Sequence, residues 1–126
     1  MDEDTSANYD DYIQKENFRS IMTAIIQKQM ELIGFHLGLS KARNITELSL
    51  NDHGTVMTYY GNPNEIITKL LNQYYQLTGE AAYYFSKKAV EQLIKVKPEI
   101  ALPQSLQNYK PSTEFTATLN PTHESR

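Results

Sequence analysis

The sequence of 126 residues contains no cysteine and no tryptophan, and only five glycines and five prolines. Without cysteine the chain can form no disulfide, no thiolate nucleophile and no zinc–thiolate site. It also lacks an apolar run of about eighteen residues, the length that a membrane-spanning helix needs, so we expect no membrane partner. The missing cysteines and an acidic, non-secretory N-terminus predict a cytoplasmic location.

Positive charge is also scarce. The formal net charge is −3 and the isoelectric point is about 5.6. Proteins that bind nucleic acids usually carry a concentrated basic surface, because neutralisation of phosphates supplies most of their affinity. The overall charge therefore disfavours a nucleic-acid partner.

The two ends of the chain differ in composition from its middle. Residues 1–14 hold five acidic side chains and few apolar ones, which predicts a disordered acidic arm. Residues 99–126 are rich in Pro, Ser and Thr, which predicts a second disordered tail, although Ile100, Leu102 and Leu106 could fold back onto the body. Residues 15–98 are then expected to form a single α+β domain.

Helical periodicity dominates this middle part. Apolar residues recur at steps of three and four over residues 16–43, which predicts one long amphipathic helix in which Gly34 and Gly38 allow a break. Two short β-like runs, residues 46–50 and 55–60, enclose the turn sequence Asn-Asp-His-Gly and predict a hairpin. Two further helices follow, with Asn62 or Asn64 as the cap of the first. The expected fold is therefore helix-dominated: long helix, hairpin, helix, helix.

Helix length and hairpin size both predict a homodimer. A straight helix over residues 16–43 would be about 42 Å long, more than the roughly 30–35 Å diameter of so small a body. Its apolar stripe would then need a cover, and a second copy is the simplest one. A lone two-stranded sheet is marginal in water, so two hairpins meeting edge to edge would also gain stability.

Small residues lie at spacings of four on the first helix. Gly34, Gly38 and Ala42 would form a smooth ridge against which a backbone or a flat ligand could pack. His36 lies inside this segment and is the one histidine that could reach a pocket there. The ridge supports two alternatives, a ligand slot or ordinary close packing against another helix.

Tyrosines occur in adjacent pairs. One member of each helical pair should lie at a boundary, where tyrosine offers apolar area with a polar tip and is favoured in protein interfaces. The candidate interface residues from these pairs are Tyr59, Tyr60, Tyr75 and Tyr83.

The preferred hypothesis is a non-enzymatic regulatory or adaptor protein, without a cofactor, that acts as a homodimer and binds a protein partner of unknown identity. The first alternative is a small-molecule sensor with a pocket at the ridge of Gly34 and Gly38. A DNA-binding regulator and a small enzyme are the weaker alternatives. The sequence contains no nucleophile elbow, no phosphate-binding loop and no histidine pair at metal-binding spacing, so it predicts no catalytic residue and no metal site.

Overall fold

A computed structural model describes residues 2–119, with side chains from Tyr9 onward. Residues 120–126, which include the last part of the predicted tail and His123, lie outside the described residues. The elements, in chain order, are α1 (Asp2–Ile33), α2 (Phe35–Arg43), β1 (Leu48–Leu50), β2 (Val56–Tyr59), α3 (Pro63–Thr78), α4 (Glu80–Val96), α5 (Gln104–Gln107) and α6 (Thr113–Leu119). The helix-dominated α+β prediction, with helix, hairpin and two further helices, is confirmed.

The first predicted helix is in fact two helices. Gly34 separates α1 from α2 with φ 102° and ψ 153°, a backbone conformation that residues with a Cβ rarely adopt. The chain turns there, and α2 packs back against α1. The predicted break therefore falls at Gly34, while Gly38 lies inside α2.

The hairpin forms where the sequence predicts it, with shorter strands. Leu48 pairs with Tyr59 and Ser49 with Thr58, and the register then shifts before Leu50 meets Val56. In the turn, the side-chain oxygen of Asn51 accepts hydrogen bonds from the backbone N–H groups of His53 and Thr55. Asn51, the first residue of the predicted turn sequence, thus holds the turn in place.

The cap of α3 settles which asparagine begins the helix. The side-chain oxygen of Asn62 accepts hydrogen bonds from the backbone N–H groups of Asn64 and Glu65, and Pro63 is the first helical residue. Gly79 joins α3 to α4, and α4 ends at Val96, two residues before Pro98.

The core lies between α1, α3 and α4 and is closed by α2, the hairpin and α5. One fully buried polar residue, Gln29 of α1, crosses it: its side-chain amide donates to the hydroxyl of Ser86 at 3.0 Å and to the carbonyl of Ala82 at 3.3 Å, both on α4. The fully buried apolar residues are Met22, Ile25, Ile26, Ala42, Ile67, Leu70, Leu71, Tyr74, Ala82, Val90 and Leu106.

Both terminal segments contain regular structure. α1 begins at Asp2, so it extends through the segment for which a disordered arm was predicted. At the other end, Ile100 and Leu106 are buried in the core, so the packed part of the chain continues past the predicted boundary at residue 98. The expectation that these two residues could fold back onto the body is confirmed.

Candidate functional site

The predicted ridge of small residues packs within the protein. A Cβ added at Gly38 would lie 2.7 Å from the Cα of Met30, so this glycine allows α2 to approach the backbone of α1. Ala42 is fully buried, whereas Gly34 lies at the break between the helices with open space beside it. Gly38 thus takes part in close helix packing, which lowers the support for a ligand slot at the ridge.

A buried tyrosine completes the contact at Gly38. The hydroxyl of Tyr74 donates to the Gly38 carbonyl at 2.8 Å and joins α3 to α2. Burial raises the pKa of Tyr74 well above its usual range, so the hydroxyl keeps its proton and remains a donor. Helical periodicity places Tyr74 with the apolar residues Ile67, Leu70 and Leu71 of α3, and it gives no sign of this bond.

His36 lies on the surface. Its ring meets the ring of Phe35 edge to face, with 5.7 Å between centroids. Among the described residues, no three His, Cys, Asp or Glu side chains are close enough to hold a metal ion. Within the same part of the chain, no helix combines the length and apolar character needed to cross a membrane.

Among the helical tyrosine pairs, the pair on α3 divides into a buried and an exposed member, whereas Tyr83 and Tyr84 on α4 are both partly buried. Tyr74 is fully buried, whereas its neighbour Tyr75 is 53% exposed. On the hairpin, Tyr59 is buried and Tyr60 is 63% exposed. The two exposed members therefore differ in setting, since one follows a strand and the other lies on α3.

Tyr75 belongs to a group of three rings. Its ring meets that of Tyr83 edge to face with 6.0 Å between centroids, and the ring of Tyr83 lies 5.8 Å from that of Tyr109. We call Tyr75, Tyr83 and Tyr109 the tyrosine cluster. It borders a depression of about 370 Å³ that Glu80, Ser105 and Asn108 also line. The structure thus brings two predicted residues together with one from the predicted tail.

Glu80 holds the C-terminal segment against this cluster. One carboxylate oxygen accepts the Tyr109 hydroxyl at 2.6 Å and the Ser112 backbone N–H at 2.7 Å, and the other accepts the Ser112 hydroxyl at 2.7 Å. These bonds, above all the one from Tyr109, lower the pKa of Glu80. Lys87 adds a bond from its ammonium group to the Tyr109 carbonyl at 2.9 Å.

A second polar arrangement joins α1 to the free edge of β2. The guanidinium of Arg19 donates to the carbonyls of Val56 at 3.0 Å and Met57 at 2.8 Å. The hydroxyl of Thr23 accepts the backbone N–H of Val56 at 3.0 Å. Side chains of the helix thus take the place of a neighbouring strand along this part of the edge.

The same arrangement continues in both directions along α1. One turn earlier, the ammonium group of Lys15 donates to the carbonyl of Tyr59 at 2.9 Å, and one turn later the amide of Gln27 donates to the carbonyl of His53 at 3.2 Å. We call Lys15, Arg19, Thr23 and Gln27, which recur every four residues, the α1 ladder. Because the ladder occupies the edge of β2, that edge does not offer a partner strand the open pairing groups that the edge-to-edge dimer requires.

The second argument for a homodimer, an uncovered apolar stripe on the first helix, is also weakened. The chain itself covers the apolar stripe of α1, where Met22, Ile25 and Ile26 are fully buried. Large side chains further toward the N-terminus of α1 remain exposed, since Tyr9 is 64% and Tyr12 60% exposed. The homodimer stays a prediction, and the buried apolar stripe of α1 does not supply its contact surface.

No protein-family model, no curated protein and no solved structure matches this chain. The function therefore has to be argued from the geometry of the chain itself.

Proposed function

We propose that this chain is a non-enzymatic adaptor or regulatory protein that binds another protein through the tyrosine cluster. The observation that carries the proposal is the setting of Tyr75. Its ring is half exposed, yet Tyr83 supports it edge to face, and Tyr83 in turn contacts Tyr109. The surface is therefore aromatic, accessible and already ordered.

An ordered aromatic surface suits protein binding for two physical reasons. Tyrosine supplies a large apolar area and a polar hydroxyl, and it has few side-chain torsions to immobilise on binding. Contacts among the rings reduce that entropic cost further, because the rings are held before a partner arrives. The adjoining depression adds Ser105 and Asn108, whose polar groups could fix the orientation of a bound segment.

Two carboxylates, Glu80 and Glu47, have a lowered pKa, and each has a structural partner. The pKa of Glu80 is lowered by bonds from Tyr109 and Ser112, which tie down the C-terminal segment. The pKa of Glu47 is lowered by its hydrogen bond with Lys69, an ion pair at the surface. Both shifts have a structural cause and stabilise the charged form, whereas a general acid at neutral pH needs a raised pKa.

The proposal is tested by site-specific photo-crosslinking in cells that produce the protein. A photoreactive phenylalanine analogue replaces Tyr75 in one variant and Tyr60, which is also exposed, in a matched control. We expect a crosslinked partner protein from position 75 and none from position 60. The substitution Tyr75→Ser should abolish co-purification of that partner while circular dichroism shows an unchanged helix content. Equal crosslinking from both positions, or none from position 75, would contradict the proposal.

The remaining hypotheses stay predictions from the sequence. One of them is the cytoplasmic location, which the missing cysteines favour. The sensor alternative has less support than the adaptor, because Met30 fills the space beside Gly38.

A further inference from the structure

An open groove runs along the outward face of α1. The hairpin forms one wall, with Thr55 and Val56, and α4 forms the other, with Ala89 and Leu93. It consists of two adjoining depressions of about 310 and 550 Å³ that share Ala24 and Gln27 as lining residues. We call this the α1 groove, and its lining on α1 comprises Arg19, Ser20, Thr23, Ala24, Gln27, Lys28, Met30 and Glu31.

The face of α1 that lines the groove continues toward the N-terminus. Steps of three and four residues lead from Ala24 back through Ser20 and Glu16 to Ile13 and Tyr9, so all five lie on one side of the helix. The five residues differ in size: Ser20 and Ala24, which line the groove, are small, whereas Ile13 and Tyr9, which lie beyond it, are large. One copy therefore presents both a groove and, beyond it on the same face of α1, a helical segment with large side chains.

The N-terminal part of α1, residues 2–14, is as long as the part of α1 that lines the groove, residues 19–31. Residues 2–14 add about 20 Å of helix at roughly 1.5 Å per residue. Tyr9 and Tyr12 lie on this part, each well over half exposed, and both are large amphipathic side chains of the kind that interfaces favour.

The N-terminal part of α1 is acidic, and two lysines lie beside the α4 wall of the groove. Residues 2–14 hold five acidic side chains and no lysine or arginine. Lys28 lines the groove but is paired at 2.8 Å with Glu31, which lines it too, whereas Lys88 and Lys95 lie one turn before and after Gln92 on its α4 wall. Among the described side chains, Lys88 and Lys95 take part in no ion pair, so they are available to an acidic helix.

We propose that two copies of the chain pair through an antiparallel contact of their α1 helices, in which the N-terminal part of each helix lies in the α1 groove of the other. Tyr9 of one copy then packs against Ala24 of the other, and Ile13 packs against Ser20. A face that carries both halves of the contact is self-complementary, which is the requirement for a two-fold symmetric dimer. The contact does not include the tyrosine cluster, so it goes beyond the adaptor proposal and does not depend on it.

The first test measures the mass of the full-length chain in solution by analytical ultracentrifugation. We expect a particle of twice the chain mass of 14.5 kDa at a concentration of about 100 µM, high enough to populate a dimer with a micromolar dissociation constant. The substitutions Tyr9→Ser and Ala24→Glu should each raise the dissociation constant at least about tenfold, because each removes or blocks two contacts per dimer. The control Tyr60→Ser, on an equally exposed tyrosine outside the face, should leave it unchanged.

The second test checks the register and uses the absence of native cysteine. The double variant Ile13→Cys with Ser20→Cys places a thiol of one copy opposite a thiol of the other and should form an intermolecular disulfide under mild oxidation. Within one helix the two positions are about 10 Å apart, too far for a disulfide. In the proposed register Ser20→Cys alone leaves the thiols of the two copies equally far apart, so this control should not crosslink.

Three results would overturn the pairing. One is a 14.5 kDa particle at every concentration up to about 100 µM. The second is a dimer whose dissociation constant does not respond to Tyr9→Ser or Ala24→Glu, since such a dimer uses another surface. The third is a crosslink from Ser20→Cys alone that is as efficient as that of the double variant. None of these results tests the role of Tyr75. The adaptor proposal is tested separately, by crosslinking from position 75.

Discussion

The two terminal segments of this chain were both predicted to lie outside the domain, and they behave in opposite ways. The N-terminal segment continues α1 away from the body and leaves Tyr9 and Tyr12 exposed. The C-terminal segment returns to the body, where Ile100 and Leu106 are buried. Composition alone does not separate the two, because each contains a few apolar side chains among many polar ones.

The difference arises from where the backbone can turn. Residues 2–33 contain neither glycine nor proline, so α1 has no point at which it could bend back. At the other end Pro98 takes part in a turn in which the Ile100 N–H bonds to the Lys97 carbonyl at 3.0 Å. Pro103 then precedes α5, which presents Leu106 to the core. A segment rich in proline can thus belong to a packed domain, while an uninterrupted helix can extend beyond that domain.

The largest expected effect comes from removing the main anchor of the returning segment. Leu106→Ala should lower the free energy of unfolding by about 2–5 kcal/mol, because a fully buried leucine leaves a cavity when it is truncated. Urea unfolding followed by circular dichroism measures the change. The control Val96→Ala, at a highly exposed residue, should change stability by less than about 0.5 kcal/mol. A loss below about 1 kcal/mol for Leu106→Ala would mean that the segment is not part of the cooperative fold.

The local parts of the fold could be predicted from the sequence because each has a local cause. The Asn51 turn, the Asn62 cap and the end of α4 before Pro98 depend on residues close together in the chain. The apolar stripes of α3 and α4 likewise follow from helical periodicity.

The contacts between distant segments could not be predicted in the same way. Glu80 and Ser112 are 32 residues apart, and no periodic pattern connects them. The α1 ladder had a weak signal, a polar stripe at steps of four beside an apolar one, but that stripe also fits a solvated helix surface. The ladder is explained by the unpaired edge of the hairpin, whose backbone groups its side chains bind. The position of that edge beside α1 is known only from the folded chain.

An intermediate effect is expected from acid. The pKa of Glu80 is lowered in the folded chain from an ordinary value of 4.5, so its bonds to Tyr109 and Ser112 contribute fully above pH 4.5. They are lost as the pH falls through the lowered pKa and the carboxylate gains a proton. We expect the Ser112 amide to lose protection from hydrogen exchange in that range, while amides of the buried half of α1 keep theirs.

The control for the acid effect is Glu80→Gln, which removes the charge and keeps the size of the side chain. In this variant the hydrogen-exchange protection of the Ser112 amide should be lower than in the wild-type chain at neutral pH, because a neutral acceptor forms weaker bonds, and it should not depend on the protonation of this side chain. If the wild-type chain and Glu80→Gln showed the same protection of Ser112 at every pH, the Glu80 contact would not hold the segment in solution.

The smallest effect on folding is expected at the segment that leaves the body. Tyr12→Ser should change the free energy of unfolding by less than about 0.5 kcal/mol in dilute solution, because the side chain is 60% exposed and serine has a similar helix propensity. Urea unfolding at low protein concentration, where the chain is monomeric, measures this value and can be compared directly with Leu106→Ala. A loss of 2 kcal/mol or more, on the scale of about 2–5 kcal/mol expected in a core, would show that the N-terminal part of α1 packs within its own chain.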